Sequence, residues 1–172
     1  IMTRQRNLCW FSCGAPSAVA AKLALQELPN VEVLYCDTFA YEHPDNRRFF
    51  DDVQKWLDHE IKILSSTDYT DIFDVFHKTK FLVSPQGARC TVELKKKVRF
   101  AYQQADDIHL LGYTSEENHR VIRFNKANPE LFTDPILVRY NITKRECQMM
   151  IKDAGIELPM MYRLGYKNNN CI

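Results

Sequence analysis

Apolar and polar positions along the chain fall into short blocks that predict strands and helices in alternation. Brief apolar runs between turn residues predict β-strands, and apolar positions three and four residues apart predict amphipathic helices. The predicted strands are Leu8–Phe11, Val31–Cys36, Glu60–Leu64, Asp107–Leu111 and Ile136–Val138. The predicted helices are Pro16–Leu28, Pro44–Leu57, Asp71–His77, Thr91–Gln103, one that follows Thr114 and one from Thr143 to about Ala154. Because the two kinds of element alternate, we expect an α/β fold of three layers, with helices on both faces of a mainly parallel sheet.

The segments between these elements have the composition of turns. Residues 78–89 are predicted to form a loop, and residues 155–172 form a turn-rich C-terminal tail. Two Thr-x-x-Glu sequences, beginning at Thr114 and Thr143, match the capping box that starts a helix. The sequence shows no repeat, linker or low-complexity stretch, so we expect residues 1–172 to form a single domain.

The connection after the first predicted strand, Ser12–Ser17, is the segment around which the chain is organised. Its sequence Ser-Cys-Gly-Ala-Pro-Ser predicts a tight turn that leads directly into a helix. The backbone N–H groups at such a helix start, together with the helix dipole, favour a bound phosphate. Gly14 allows a ligand to approach the backbone closely. From spacing alone, a phosphate loop and an ordinary strand-to-helix connection remain equal alternatives.

Further polar residues follow other predicted strands, at the edge of the sheet where ligands bind in such folds. Asp37 and Thr38 follow the second strand, and Gly112 follows the fourth. An acid such as Asp37 can hydrogen-bond a ribose here, or the segment can line an adenine pocket, although a strand end followed by a helix cap explains the same residues. Arg120 and Arg123 recur at helical spacing and lie either beside an anionic substrate or on the surface of a capped helix.

The six cysteines show no disulfide spacing. Cys9, Cys13 and Cys36 lie in or beside apolar strand sequences, where a free cysteine is usually a small buried side chain. Cys90 and Cys171 lie in polar surroundings and are the better candidates for chemistry. Cys90 precedes a basic helix, where a thiol can act as a nucleophile or a metal ligand.

Composition limits the classes of function. A chain of 172 residues with 45% hydrophobic residues is long enough for one domain with a real core. The formal net charge of +1 gives no global attraction to nucleic acid or to a membrane. The run Lys95–Lys97 is either a solvated helix face or a local strip for phosphate groups. No apolar span is long enough to cross a bilayer and no secretory signal is present, so we expect a cytoplasmic location.

Several segments, in order, resemble the phosphoadenylyl-sulfate (PAPS) reductase family, a branch of the PP-loop or adenine nucleotide alpha hydrolase-like superfamily. Ser12–Ser17 resembles the S-G-G-x-D-S loop that holds nucleotide phosphates in N-type ATP pyrophosphatases. Asp37-Thr38 resembles the Asp-Thr step beside the nucleotide, and residues 112–117 resemble a Gly-x-Arg/Thr-x-x-Glu step. Residues 89–98 resemble the segment in which a cysteine pair precedes Arg/Lys-Lys-Val, and residues 155–172 resemble an I/L-P-x-x-x-Y-x-x-G-Y-x-x-x-x-C stretch.

This resemblance implies a Rossmann-like fold and an adenine-nucleotide-binding enzyme of sulfur metabolism. The activity implied is that of a PAPS/APS reductase-like oxidoreductase or of an ATP-dependent sulfurtransferase. Cys90 and Cys171 are implied as catalytic residues and as metal ligands, for a redox pair or for a [4Fe–4S] cluster that needs cysteines beyond residue 172. The residues implied at the nucleotide (ATP, PAPS or APS) are Ser12, Cys13, Gly14, Ala15, Ser17, Asp37, Thr38, Gly112 and Arg120.

Departures from the family pattern support a second hypothesis. Cys13 stands in the place of the first loop glycine, and Pro16 stands where the loop aspartate is usual. Arg89 takes the first position of the cysteine pair. The missing loop carboxylate at Pro16 supports the alternative, a catalytically inactive module that keeps the nucleotide pocket. The sulfurtransferase branch implies tRNA or DNA as a partner, and a homodimer is a candidate assembly.

Overall fold

Strands and helices alternate along the chain in the computed structural model, which describes residues 5–80, 83–84 and 87–169. The strands are β1 (Asn7–Phe11), β2 (Val31–Cys36), β3 (Ile61–Leu64), β4 (Val83–Ser84), β5 (Gly87–Ala88), β6 (Ile108–Leu111) and β7 (Phe132–Thr133). The α-helices are α1 (Ala15–Glu27), α2 (Asp45–Leu57), α3 (Ile72–Thr79), α4 (Arg89–Thr91), α5 (Lys97–Tyr102), α6 (Asn118–Ala127), α7 (Ile136–Arg139), α8 (Lys144–Asp153) and α9 (Met160–Arg163). Short 3₁₀ helices span Phe39–Tyr41 and Ser115–Glu117.

A π-helical segment, Val92–Lys96, joins α4 to α5 without a break. We call this continuous element, residues 89–102, the basic helix. A turn of π-helix inside an α-helix is rare and is frequent at functional sites. The π-helical segment therefore indicates that the basic helix belongs to a candidate functional site.

Five parallel strands form the main sheet in the order β3-β2-β1-β6-β7. Asn7 at the start of β1 lies opposite Val31 on one side and Ile108 on the other. The chain adds strands outward from β1 to β3 and then crosses to β6 on the opposite side. The strand order thus reverses between β1 and β6, and the crevice beyond their carboxyl ends is where open α/β sheets bind ligands.

Alternation along β1 divides the core between the two faces of the sheet. Cys9 and Phe11 belong to a large cluster that also contains side chains of α1, α2 and α8. Leu8 and Trp10 belong to a smaller cluster on the other face, against which Tyr102 of the basic helix packs. Helices therefore cover both faces, which confirms the predicted three-layer, Rossmann-like α/β fold.

Two capping boxes are confirmed, one starting at Thr114 and one starting at Thr143. The predicted strand at Ile136–Val138 is wrong, because these residues lie in α7 and the fifth strand of the sheet is β7, just before it. A short apolar run fits a buried helical turn as well as a strand. Here Ile136 and Leu137 are buried in the cluster that contains α1.

The predicted loop at residues 78–89 holds more regular structure than its composition indicates. It includes the end of α3, the antiparallel pair of β4 with β5, and the first residue of the basic helix. The basic helix thus begins before the predicted start at Thr91. Across the described residues, none of the helices has the length and apolar character needed to span a membrane.

Candidate nucleotide-binding site

A cleft of about 930 Å³ opens beyond the carboxyl ends of β1, β2 and β6. Ser12, Gly14 and Ser17 contribute to its wall from the start of α1, and Gly112 contributes from the end of β6. The cleft therefore lies at the reversal of the strand order, where the sheet topology leads us to expect a ligand.

The loop Ser12–Ser17 is folded around the hydroxyl group of Ser17. The Ser12 backbone N–H donates to Ser17 Oγ at 3.1 Å, and Ser17 Oγ donates to the Gly14 carbonyl oxygen at 3.1 Å. The positive φ of the loop, 57°, falls on Cys13, whereas Gly14 has an ordinary φ of −103°. Cys13 thus adopts the left-handed conformation that glycine would adopt at lower cost, at the position where the motif has its first glycine.

Gly112 is required by close packing between β6 and α1. A Cβ atom at this position would lie 2.7 Å from the Ser17 backbone nitrogen and 2.8 Å from Ser17 Cα. Both distances are too short for nonbonded atoms, so only glycine allows the two segments to approach this closely. Gly112 therefore allows the start of α1, and with it the loop, to lie against the end of β6.

The C-terminal part of the chain also contacts the loop. Tyr162 of α9 lines the cleft, and its hydroxyl oxygen accepts a hydrogen bond from the Ala15 backbone N–H at 3.3 Å. Burial raises the pKa of Tyr162 to about 12, so this hydroxyl group is neutral at physiological pH. One of the first-turn amide groups of α1 is therefore paired with a side chain from the opposite end of the sequence.

Asp37 and Thr38 lie differently with respect to the cleft. Thr38 is buried and lines it, whereas Asp37 is exposed, lies outside the lining and accepts a hydrogen bond from the Phe39 backbone N–H at 3.3 Å. Thr38 Oγ1 donates to Glu42 Oε1 at 2.6 Å. Glu42 Oε2 also accepts from the Tyr35 hydroxyl at 3.1 Å, so the buried carboxylate is held by several donors.

The basic helix brings three cationic side chains to the cleft: Lys95, Lys96 and Arg99. The Arg99 guanidinium lies 5.1 Å from the ring centre of Phe124, and burial lowers the pKa of Arg99. Within the described residues no carboxylate pairs with Arg99. A partly buried cation without an anionic partner is costly, so this arrangement favours an anionic ligand.

Lys97 does not share this face. Its Nζ lies 2.6 Å from Glu93 Oε2, and Arg89 contacts the other oxygen of the same carboxylate at 2.8 Å. The lysine run therefore divides, with Lys95 and Lys96 at the cleft and Lys97 in a local ion pair.

The opposite wall carries more positive charge. Arg120 and Arg123 of α6 line the cleft together with Lys144 at the start of α8. Arg120 pairs with Glu117 and lies 4.7 Å from the ring centre of Tyr113. Burial lowers the pKa of Lys144, and the nearby Arg120 guanidinium lowers it further. Among the described residues of the lining, six cationic side chains thus face one carboxylate, which gives the cleft a positive potential that the net charge of the chain conceals.

Most described cysteines have thiol groups that burial keeps protonated. Burial raises the pKa to about 12 for Cys9 and Cys147 and to about 11 for Cys36, and it raises that of Cys13 strongly. Cys36 is only partly buried and lines the cleft, which its apolar sequence surroundings did not indicate.

Cys90 lies at the start of the basic helix, outside the cleft lining, and Cys171 lies outside the described residues. No group of three or more Cys, His, Asp or Glu side chains within the described residues is arranged to hold a metal ion. Iron–sulfur clusters generally require about four thiolates. The described side chains therefore do not fit a [4Fe–4S] cluster.

Comparison with known proteins identifies the family. Residues 6–171 match the model of the phosphoadenosine phosphosulfate reductase domain. The chain belongs to this family. A similar solved structure is the PAPS reductase from Candida auris in complex with phosphate, with a TM-score of 0.65 and 14% sequence identity over 96% of this chain and 81% of that chain. At this identity the likeness supports the PAPS reductase fold alone. No curated protein matches the sequence.

One set of residues beside the cleft was not predicted from the sequence. Asn46 Nδ2 donates to Glu42 Oε2 at 2.9 Å, and Asn169 Nδ2 donates both to Asn46 Oδ1 at 2.9 Å and to the Cys13 carbonyl oxygen at 2.6 Å. The available signal was the four-residue spacing of Thr38, Glu42 and Asn46. Nothing local in the sequence indicates that Asn169 joins them.

Proposed function

We propose that the chain binds an adenine nucleotide in the cleft and acts in sulfur metabolism as an enzyme of the PAPS reductase type. The loop Ser12–Ser17 would hold phosphate through its hydroxyl groups and the amide groups at the start of α1. Thr38 would lie beside the nucleoside, and Arg120 would face an anionic group. Membership of the PAPS reductase domain family supports the proposal that the ligand is an adenine nucleotide.

The observation that carries this proposal is the excess of cations in the lining. The six cationic side chains and one carboxylate that the described part of the chain contributes exceed what a single phosphate needs. A nucleotide with more than one anionic group, such as PAPS or ATP, can pair with more of these cationic side chains. We therefore expect PAPS and ATP to bind more tightly than AMP.

Two activities are compatible with such a nucleotide. Reduction of a sulfonucleotide would make PAPS or APS the preferred ligand. Activation of a substrate for sulfur transfer would make ATP the preferred ligand, with tRNA or DNA as the acceptor. The relative affinities for PAPS and ATP distinguish these two activities.

A binding module without catalysis is the second candidate, and one feature favours it. Pro16 lies in the first turn of α1, and that turn contains no acidic residue. The carboxylate usual in the loop of ATP pyrophosphatases is therefore missing from its expected position. Under this alternative, the protein binds nucleotides but does not release pyrophosphate from ATP.

Substitution of Gly14 tests the loop. A Cβ atom at Gly14 would lie 3.2 Å from the Tyr162 hydroxyl oxygen, so the larger side chain of Gly14→Val would occupy the approach to the loop. We expect titration calorimetry to show binding of PAPS and ATP to the wild type and a loss of at least about tenfold in affinity for Gly14→Val. The exposed Ala105→Val adds the same side chain outside the cleft and should bind as the wild type does. Absence of binding by the wild type at millimolar nucleotide contradicts the proposal.

A further inference from the structure

The C-terminal segment, residues 159–169, contacts the loop Ser12–Ser17 at two points, one on either side of Gly14. Tyr162 accepts a hydrogen bond from the Ala15 backbone N–H, and Asn169 donates one to the Cys13 carbonyl oxygen at 2.6 Å. Asn169 is only 4% exposed, so this second contact is made out of solvent. The loop is therefore held by a segment that is far away in sequence, at separations of 147 and 156 residues.

The hydrogen-bond partners of Asn169 give its side-chain amide a defined orientation. Its Nδ2 group faces two acceptors, the Cys13 carbonyl oxygen and Asn46 Oδ1. Asn46 in turn must present its oxygen to Asn169, because its own Nδ2 group donates to the buried Glu42 carboxylate at 2.9 Å. A carboxylate offers only acceptors, so the direction of each hydrogen bond is set from Glu42 along to Cys13.

The contact at Cys13 has a consequence for Gly14. A trans peptide group is planar, so the Cys13 carbonyl and the Gly14 N–H point in opposite directions. Holding the carbonyl oxygen of Cys13 therefore also sets the direction of the Gly14 N–H. The contact is made to a residue whose φ is 57°, in the left-handed region that costs free energy for a residue with a side chain.

We propose that Asn169 is a positioning residue that orients the Cys13–Gly14 peptide group for phosphate binding, so that docking of the C-terminal segment and nucleotide binding favour each other. This inference rests on the proposed nucleotide site. Asn169 would control nucleotide affinity by acting through the backbone of the loop. By reciprocity, a bound nucleotide must stabilise the docked C-terminal segment to the same extent.

Two substitutions test the proposal by titration calorimetry with PAPS and ATP on the full chain. Asn169→Ala removes the hydrogen bonds to Cys13 and to Asn46. Loss of the Cys13 contact should weaken nucleotide affinity by about tenfold, the effect of one buried neutral hydrogen bond. Asn46 lies outside the cleft lining. Asn46→Ala removes its hydrogen bonds to Asn169 and to Glu42 but leaves the Asn169 contact with Cys13 in place, so we expect a smaller loss of about threefold. Asn118→Ala deletes the same group at an exposed position and should bind as the wild type does.

Thermal unfolding without nucleotide separates a positioning role from a purely structural one. A structural role would lower the melting temperature and leave the affinity of the folded protein unchanged. Wild-type affinity in folded Asn169→Ala therefore overturns the inference while the nucleotide site stands. Absence of nucleotide binding by the wild type overturns both.

Hydrogen exchange on the wild type provides a test that does not depend on how the variants fold. We expect saturating PAPS or ATP to slow amide exchange in residues 159–169 as well as in the loop. Slower exchange in the loop with unchanged exchange in residues 159–169 would overturn the coupling.

Discussion

The substitution Gly112→Ala is the most quantitative test of how the fold supports the cleft. The added Cβ atom would lie 2.7 Å from the Ser17 backbone nitrogen and 3.0 Å from Ser17 Cβ. To restore an ordinary contact of 3.4 Å, the start of α1 must move by about 0.7 Å away from β6. Since the Ser17 hydroxyl group bonds both Ser12 and Gly14, this movement displaces the loop as a whole.

Two effects follow from that displacement. Overpacking of a close contact costs about 1–3 kcal/mol of unfolding free energy. Misplacement of binding groups by a large fraction of an ångström should also weaken PAPS or ATP binding by about tenfold or more. Denaturant unfolding measures the first effect, and titration calorimetry measures the second.

Gly155→Ala is the matched control for this prediction. Gly155 has a φ of +77° with no atom within 4 Å of an added Cβ, so alanine strains the backbone by about 1 kcal/mol and leaves the cleft in place. This control should lose stability and keep its nucleotide affinity. Wild-type nucleotide affinity in Gly112→Ala as well would refute the idea that close packing at the end of β6 positions the loop Ser12–Ser17.

Two further predictions concern charge. Arg99→Ala should weaken nucleotide binding by about 10- to 100-fold, because it removes a charge-assisted contact. Lys97→Ala removes an ion-paired lysine outside the cleft and should change the affinity measured by calorimetry by less than about twofold. Equal losses for the two variants would indicate a response to overall charge and would contradict a specific contact with Arg99. The pKa of His109 is lowered to about 4, first by burial and then by Arg99, so the unfolded chain binds more protons than the folded one below pH 6.5. Stability should therefore fall between pH 6.5 and pH 4 by on the order of 2 kcal/mol after allowance for solvent screening, and denaturant unfolding of His109→Gln should lack this component.

The fold was predictable because its signals are local. Alternating apolar runs predict the strands, and the capping boxes at Thr114 and Thr143 predict two helix starts. The error at Ile136–Val138 has a physical reason, since a short run of apolar residues has no period that separates a strand from a buried helical turn. Packing against α1, which no local signal reports, decides the helix.

The site was predictable only in part. The loop after β1 and Gly112 after β6 follow from the rule that ligands bind beyond the ends of parallel strands. The place of Arg99 in the cleft could not be predicted, because its position beside Phe124, with no carboxylate partner among the residues that the structure describes, depends on how the basic helix packs. Asn169 could not be predicted either, because its partners lie far from it in sequence.

The central claim is that an adenine nucleotide binds in this cleft with its phosphate groups on the loop Ser12–Ser17. A crystal structure of the full chain with PAPS or ATP tests this claim most directly. We expect phosphate oxygens within hydrogen-bonding distance of Ser12, Gly14 and Ser17, and a second anionic group near Arg99. A nucleotide bound elsewhere on the protein, with no phosphate at the loop, would contradict the claim.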